Sequence, residues 1–449
     1  MALQDIVNLS ITLKSSSPTK AGFGRALILT SKSPTFMGRT KLYKNADEML
    51  ADGFVVTDIE YKKAQALKSQ KPAPKDFKIG KRLLPPTQII HLTPTVTTQG
   101  FVYSGKIVGP GGTQSFSYTV GAAATVQVIV EALAPIIDAL ADVTCTEDNT
   151  KLVVTSSAAG KILQFTELVP ELKVQDVTVD PGIATDLAAI FAADTDWFGL
   201  LLDSDSEAEL TAAGTWAESK RRILKGATAD FGAKDAATTN DVISDCKALD
   251  LFNTEIAYHH EVGSVLAAAA MGAELVRTPG TYTMAHKSFQ GVAVTGSHAN
   301  GTPYLTADQE AAVQAKNGNT YTTIAGNGDY FPGWVTGGDY VDAVRFIHFM
   351  FARIQERVIG VFQGSEVVRY SQAGIDLLSQ SILSLLQTWT KKPYEALSNE
   401  KDLEPRVEFP AYAAIDAGDR QDRHLPDGTF AARYTGGIHT MDLAGTVSV

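Results

Sequence analysis

Two stretches of this chain alternate between helical and extended hydrophobic patterns, and this alternation limits the possible fold more than any other feature. Between residues 22 and 86, two short helical patterns separate the apolar strands AGFGRALILT and PKDFKIGKRLL. From residue 182 onward, helical patterns alternate with the strands WFGLLLD, RRILKGA and NTEIAYHH. Strands joined by helices pair in parallel. The sequence therefore predicts an α/β fold, with an open, mostly parallel sheet flanked by helices.

A β-rich segment interrupts this alternation. Residues 87–180 carry Thr-, Val- and Gly-rich strand patterns, one helical pattern and a hairpin turn at Asp148–Asn149. We expect an inserted α+β module, and four parts follow along the chain. They are an N-terminal arm (1–21), a discontinuous α/β core (22–86 plus 181–438), the inserted module (87–180) and a C-terminal arm strand (439–449).

Both ends of the chain read as amphipathic strands that have no obvious partner nearby. The apolar positions alternate with polar or small ones, and they are Val7, Leu9, Ile11 and Leu13 at the start and Met441, Leu443, Val447 and Val449 at the end. A Ser-rich linker, SSSPTKAG, follows the first strand. An unpaired strand on a tether promotes aggregation of a single chain, but it is tolerable when assembly always pairs it.

Charge and composition exclude several classes of protein. The net charge is −11 and there is no Lys/Arg-rich block, which argues against a nucleic-acid partner. The most apolar stretches are broken by charges or too short to cross a bilayer, so no membrane insertion is expected. No signal-peptide pattern occurs at the start, and Cys145 and Cys246 read as reduced thiols. We expect a protein made and kept in a cytoplasm unless a particle carries it out.

One pair of carboxylates stands where α/β sheets bind ligands. Asp203 and Asp205 follow the strand WFGLLLD and could hold a divalent cation. The favoured alternative is structural: Ser206 and Glu209 have capping-box spacing, with the aspartates supporting the helix start. Thr57 and Glu60 have the same spacing, and Asp339 precedes another helical pattern as its predicted N-cap.

The histidines and glycines add no catalytic signal. His259 and His260 are neighbours in an extended pattern, which predicts that they face opposite sides and cannot share a metal. His286 and His298 are isolated, so a structural or surface role is favoured for all four. No dinucleotide fingerprint, phosphate loop or nucleophile elbow occurs. We predict no catalytic residue, no cofactor and no metal.

Several longer stretches resemble contractile bacteriophage tail sheath proteins. At the start they are LQDIVNLSITLKSSSPTKAGFGRALILT, YKNADEMLADGF and EYKKAQALKSQKPAPKDFKIGKR. Towards the end they are GGDYVDAVRFIHFMFARIQERV, RYSQAGIDLLSQSI and AIDAGDRQDRHLPDGTFAARYTGGIHTMDLAGTVSV. The resemblance covers both ends and the α/β core but leaves out residues 87–180.

This resemblance implies a structural subunit and no enzyme. The subunit would polymerise around an inner tail tube and contract to drive the tube through the host cell envelope. Its partners would be copies of itself in stacked six-subunit rings with helical symmetry, the tube protein, the baseplate and the tail terminator. Its location would be the virion tail, assembled in the host bacterial cytoplasm. The terminal strands would be exchanged between neighbouring subunits.

Two other interpretations stay open. A static tube or baseplate component predicts assembly without two length states, and a mostly β chain in place of an α/β one. A cytoplasmic α/β enzyme requires a ligand-binding constellation at the carboxyl edge of the sheet, where only Asp203 and Asp205 are candidates.

Overall fold

A computed structural model gives the fold of the protein and describes most of the chain. It covers residues 22–441, with gaps at 33, 83–87, 110–111, 158–162, 178–181, 298–300 and 302. The N-terminal arm strand therefore lies outside the described residues, and so do Leu443, Val447 and Val449. Met441 is the one apolar position of the two predicted arm strands that lies inside them.

The first part of the chain forms a βαβ unit with an added edge strand. Its elements are β1 (Ala26–Thr30), β2 (Thr40–Tyr43), a 3₁₀ helix (Ala46–Asp52), α1 (Ile59–Lys68) and β3 (Phe77–Lys81). β3 lies parallel to β1, and β2 pairs antiparallel with β3 at the sheet edge. The predicted capping box at Thr57 is wrong. The helix begins at Ile59, and the Glu60 carboxylate instead accepts a hydrogen bond from Thr30 Oγ1 at 2.5 Å.

The next segment builds two antiparallel sheets of its own. Its elements are β4 (Ile89–Pro94), β5 (Val102–Gly109), β6 (Gly112–Thr119), α2 (Val126–Asp138), β7 (Val143–Asp148), β8 (Lys151–Ser156), β9 (Gln164–Thr166) and β10 (Leu172–Asp176). The strand orders are β10-β4-β8-β7 and β6-β5-β9. Leu92 and Leu152 face α2, whose Ile129, Leu133 and Ile137 complete a separate hydrophobic cluster.

The α/β alternation then resumes and extends the first sheet. The elements are α3 (Ile183–Ala193), β11 (Gly199–Leu201), α4 (Glu207–Lys220), β12 (Ile223–Thr228), α5 (Val242–Ala248), β13 (Thr254–Tyr258), α6 (Leu266–Leu275), α7 (Ala307–Ala315), β14 (Asn319–Ile324) and β15 (Asn327–Phe331). In the described ranges the sheet has eight strands in the order β15-β14-β13-β12-β11-β1-β3-β2. β1, β3 and β11 to β14 run parallel, and β2 and β15 run antiparallel to their neighbours. The predicted α/β class is confirmed.

Helices cover both faces of this sheet, which explains why its central strands are apolar without alternation. Ala26 and Ile28 of β1 pack in one cluster with α1 and α6. Leu27 and Leu29 pack in the other cluster, with α3, α4 and α5. Helix α6 is buried almost all round, as its sequence predicts. No helix in the described ranges is long and apolar enough to cross a lipid bilayer.

The last part of the chain adds two long helices and two short strands after the eight-stranded sheet. It contains α8 (Val341–Gly364), α9 (Gln372–Thr388), β16 (Arg406–Glu408), α10 (Ala417–Gln421) and β17 (Thr429–Ala431). Phe346 and Phe349 of α8 pack with Leu386 of α9 and with Trp389, which follows that helix, in a fourth cluster. Asp339 does not cap α8, because the helix follows Tyr340 and has no side-chain cap.

A buried cluster of charges lies between the sheet and α6. Lys225 of β12 forms an ion pair with Glu255 of β13 and lies 2.8 Å from Glu274 Oε2 of α6. Tyr330 donates a hydrogen bond to Glu255 at 2.5 Å. All four side chains are buried. Burial opposes the charge of Lys225, but the two carboxylates outweigh it and raise the pKa of Lys225. The same burial raises the pKa of Glu255.

A buried arginine joins the start of α8 to the end of α6. The Arg345 guanidinium donates to the carbonyls of Glu274 and Arg277 at 2.8 Å each, to Leu275 at 3.2 Å and to Phe23 at 3.1 Å. Three of these carbonyls end or follow helix α6, where a cation also complements the helix dipole. The start of α8 is therefore fastened to the end of α6 and to the residues before β1, and the buried positions of α8 end at Phe349.

Candidate assembly surface

The crevice that could serve an enzyme lies between β1 and β11. The helices that follow these two neighbouring strands lie on opposite faces of the sheet. The carboxyl ends of the strands therefore form the switch point at which open α/β sheets bind ligands. Asp203 follows β11, and its Oδ2 accepts a hydrogen bond from Ser31 N at 2.6 Å and another from Ser31 Oγ. Asp205 accepts from Gly263 N at 3.0 Å and from Lys63 Nζ at 3.3 Å. Both aspartates thus join loops of the core.

The predicted capping box at Ser206 is wrong. Helix α4 follows Ser206, but the Ser206 side chain makes no cap hydrogen bond. Glu209 instead accepts a hydrogen bond from Arg82 NH1 at 2.6 Å, and Arg82 also donates to Asp186 at 2.9 Å. This ion pair engages the Glu209 carboxylate, which therefore does not cap the start of α4. Among the described residues, no three His, Cys, Asp or Glu side chains are placed to hold a metal ion.

The paired histidines lie beyond the end of β13. His259 contacts Ala293 O through Nε2 at 2.9 Å, and its Nδ1 accepts a hydrogen bond from Glu261 N at 3.2 Å. The prediction that the two rings face opposite sides is wrong, because their centroids lie only 4.7 Å apart. The reason is that β13 ends at Tyr258, so strand alternation no longer applies. His260 stacks on Tyr304 at 4.3 Å. His298 lies outside the described residues.

Neither cysteine has the environment of a nucleophile. Cys145 lies in the 89–176 segment and Cys246 in α5, and both side chains are buried. Burial raises the pKa of each thiol to about 12, so both stay protonated at neutral pH.

Helix α8 exposes a row of large apolar side chains along its length. The buried positions of this helix end at Phe349, although the helix continues for another fifteen residues to Gly364. The exposed side chains along this helix are Ile347 (53% exposed), Phe351 (40%), Ile359 (46%) and Phe362 (49%). An exposed apolar row of this kind is typical of a surface that another protein covers.

An apolar groove continues this row. It has a volume of about 830 Å³ and lies between the end of α8, the start of α9 and the segment before and after α10. Its lining includes Phe362, Ile375, Leu378 and Phe409. We define the exposed row of α8 and this groove together as the assembly surface.

A two-stranded sheet lies next to the assembly surface. β16 and β17 pair antiparallel, and no third strand joins them in the described part of the chain. β16 rests on α9, where Ser379 Oγ donates to Val407 O at 3.4 Å, whereas Phe430 of β17 is half exposed. Two three-residue strands are a marginal sheet, and their outer edges can accept further strands.

Comparison with known proteins shows what kind of fold carries these surfaces. No family model matches the sequence, and no curated protein sequence matches it. The chain is similar to the helical sheath of the anti-feeding prophage in its contracted state, with 10% identity, a TM-score of 0.54 and 98% of each chain covered. It is also similar to the contracted PVC sheath complex of an extracellular contractile injection system. That match has 9% identity and a TM-score of 0.50, over 98% of this chain and 96% of the other.

A third match is to the baseplate of the anti-feeding prophage in its contracted state. It covers 100% of this chain and 98% of the other, with 9% identity and a TM-score of 0.51. The chain has the fold of contractile sheath proteins. At this level of identity, the likeness lies in the arrangement of helices and strands.

The sheath fold contains two features that the sequence analysis missed. β16 and β17 have three residues each, which is too short for a periodicity of two to stand out. In sequence, the exposed apolar residues of α8 are not distinguished from the buried ones, because both belong to one helical pattern of 24 residues. Met441, the described apolar position of the predicted C-terminal arm strand, is 77% exposed.

Proposed function

We propose that this chain is the structural subunit of a contractile sheath, polymerised around an inner tube. Contraction of the sheath would drive the tube through a host cell envelope, with no nucleotide hydrolysed. The observation that carries the proposal is that the sheath fold extends over 98% of the chain and is not confined to a shared α/β core. The crevice supports it indirectly, because both of its aspartates already have partners within the core.

The partners follow from the same proposal. Copies of the chain would stack as six-subunit rings with helical symmetry, held to the tube inside and to a baseplate and a tail terminator at the ends. The assembly surface supports contact with other proteins, because Ile347, Ile359 and Phe362 of α8 are each about half exposed to water. The particle would be a phage tail or a related injection system, assembled in a bacterial cytoplasm.

We propose that the terminal strands are exchanged between subunits and extend the β16–β17 sheet of a neighbour. In a donated N-terminal strand, Val7, Leu9, Ile11 and Leu13 would form the buried face. The donated C-terminal strand would use Met441, Leu443, Val447 and Val449. The free edges of β16 and β17 and the exposure of Met441 support this pairing.

The energetics favour several arms acting together. One donated strand gains about 0.5–1.5 kcal/mol per hydrogen bond and roughly 1.5–3 kcal/mol per buried Val, Leu or Ile. It loses about 1–2 kcal/mol per ordered residue. A single arm is therefore marginal, whereas many arms in one lattice bind as a multivalent set. Flexible tethers would let neighbours move during contraction without separating.

A static baseplate component is the second candidate function. The similarity to the anti-feeding prophage baseplate favours it, because that match also spans nearly the whole chain. The two functions differ in one respect: a sheath has two length states, and a static component has one.

Electron microscopy of the purified protein tests the proposed function. We expect the chain alone to form hollow tubes with sixfold symmetry, because a sheath subunit carries its own lattice contacts. Tubes in two helical forms of different rise would identify a contractile sheath. Single rings or discs with one fixed geometry would identify the static component instead, and a strictly monomeric protein would contradict both.

The division of the chain into a core and an insert stays a prediction, and a deletion tests it. We propose that residues 87–180 fold as a separate module on the core made of residues 22–86 and 181–438. Strand pairing supports this, because β4 to β10 pair only with one another in the described ranges. Replacing residues 87–180 with a short Gly/Ser linker should leave a cooperative thermal transition. Its loss would make the insert an integral part of the core.

A further inference from the structure

The described chain ends in a strap that leads into the C-terminal arm. We define the strap as residues 433–439. Its start is fastened by backbone contacts: Ser398 N donates to Arg433 O at 2.8 Å, and Thr435 N donates to Ala396 O at 3.0 Å. Tyr434 packs on the Phe346 ring and donates to Asp342 at 3.0 Å. The start of the strap is therefore held by several independent contacts.

The end of the strap is held differently, by contacts that a single strap residue makes. Gly436 turns the chain with φ at +61°, and Ile438 is 92% exposed, so no apolar burial fastens this part. His439 supplies the contacts. Its Nε2 lies 2.9 Å from Thr283 Oγ1, its ring meets the edge of Tyr340, and its carbonyl oxygen lies 2.9 Å from His286 Nε2.

His286 bridges the strap to the sheet edge. Its other ring nitrogen, Nδ1, lies 3.1 Å from Oδ1 of Asp329 in β15. Both of its partners are acceptors: a carbonyl oxygen on one side and a carboxylate on the other. Only a protonated imidazole has two N–H groups to donate. A neutral ring must turn one lone pair towards an oxygen, so it keeps one of the two bonds and weakens the other.

We propose that His286 and His439 form a proton-operated clasp that fastens the end of the strap within a window of pH and releases it on either side. His286 must carry a proton for the clasp to close, and His439 must be neutral. The two imidazoles thus limit the window from opposite directions.

The basic side of the window is set by His286. Its hydrogen bond to the carbonyl of His439, and then Asp329, raise the pKa of His286, although burial and Lys287 oppose them. A raised pKa means that the stabilisation is complete below the ordinary histidine pKa of about 6.5. It is lost as the pH rises through the raised value.

The acidic side of the window is set by His439. Burial lowers the pKa of His439, and the charges of His286 and Lys287 lower it further, whereas Asp342 opposes them. The stabilisation is therefore complete above about pH 6.5 and is lost as the pH falls through the lowered value. Protonation of His439 would place a charge on a partly buried ring, and this cost of burial opens the clasp. The strap is held most firmly near pH 6.5.

Release of the clasp lengthens the C-terminal tether. Thr435 stays fastened to Ala396, so residues 436–439 become free and add roughly 13 Å of reach at about 3.3 Å per residue. This consequence for assembly rests on the proposed function. The clasp itself does not, because every contact in it lies within one chain.

A spin label at position 441 tests the clasp in the full-length protein. Met441→Cys places a thiol on an exposed position just beyond His439. Cys145 and Cys246 are buried, and burial raises the pKa of each thiol to about 12, so they do not compete for the label. The nitroxide line shape is measured from pH 5 to pH 9, on the fraction that elutes as a single chain. We expect the mobile fraction to be smallest near pH 6.5 and to rise at least twofold on both sides.

Two substitutions separate the two sides of the profile. His286→Gln should abolish the rise at basic pH and keep the rise at acidic pH. His439→Gln should do the reverse. Lys287→Gln removes a cation that faces both imidazoles, so it should move both sides of the profile to higher pH. Circular dichroism and thermal unfolding of each variant confirm that the core is intact.

The outcomes distinguish the clasp from the proposed function. A flat wild-type profile, or a basic rise that survives in His286→Gln, would overturn the clasp. Neither result would contradict the proposed sheath function, because tube formation is measured separately by electron microscopy. Absence of tubes together with a two-sided mobility profile would reject the sheath and keep the clasp.

Discussion

Removal of residues 1–14, or of residues 440–449, is expected to leave a folded single chain that forms no tubes. The reason is that the proposed terminal strands belong to a neighbour's sheet and not to their own core. A lattice that loses one strand at every subunit loses its multivalent binding. Circular dichroism and thermal unfolding measure the fold, and electron microscopy measures the tubes. If truncation instead lowers the melting temperature and protease resistance, the strands pair within their own chain.

A point substitution tests the same arm without shortening it. Ile11→Lys places a charge on the proposed buried face, whereas Ser10→Lys places the same charge on the opposite face. Mixed with wild-type protein, Ile11→Lys should inhibit tube growth at substoichiometric amounts, and Ser10→Lys should be tolerated far better. Equal effects of both variants, or ordered tubes from truncated chains, would contradict strand exchange.

The largest loss of stability is expected for Lys225→Met. Lys225 is buried between Glu255 and Glu274, and the substitution leaves two carboxylates together in the core without their cation. Removal of one member of a buried ionic group destabilises a protein by about 3–5 kcal/mol. Urea unfolding followed by circular dichroism measures the change. The pKa of Glu255 is already raised by burial and would rise further, so the loss should be greater at pH 8 than at pH 5.

Lys106→Met is the matched control for this substitution. Lys106 pairs with Glu167 at 2.7 Å, but both side chains are in contact with solvent. An exposed pair of this kind contributes about 0–1 kcal/mol. A loss of similar size in both variants, or no pH dependence in Lys225→Met, would mean that the buried cluster is not an ionic centre.

The sequence alone predicted the class of the fold, because the signals for it are local. β1 is apolar at four consecutive positions and proves to be buried on both faces. The hairpin at Asp148–Asn149 joins β7 to β8, and Asn149 adopts the left-handed conformation that such turns require. Helix α6 is apolar nearly all round and proves to be buried. In each case the hydrophobic pattern of a few neighbouring residues determines which side chains become buried.

Helix capping shows where local signals fail. The spacing of Thr57 with Glu60, and of Ser206 with Glu209, predicted two capping boxes, and neither forms. Each glutamate finds a partner on a different element: Thr30 for Glu60 and Arg82 for Glu209. A cap is a weak local contact, and a tertiary hydrogen bond or ion pair readily replaces it.

The partners within the candidate sites depend on tertiary structure, as the partners of Glu60 and Glu209 do. Lys225 reads in sequence as an ordinary strand residue, and only the parallel register of β12 and β13 brings it opposite Glu255. His286 and His439 are separated by 153 residues and meet because the strap returns to the sheet edge. Periodicity is a property of neighbouring residues, so the sequence by itself determined the elements and their apolar faces. The partner of a buried charge depends on which elements pack together, and that is fixed only when the whole core has formed.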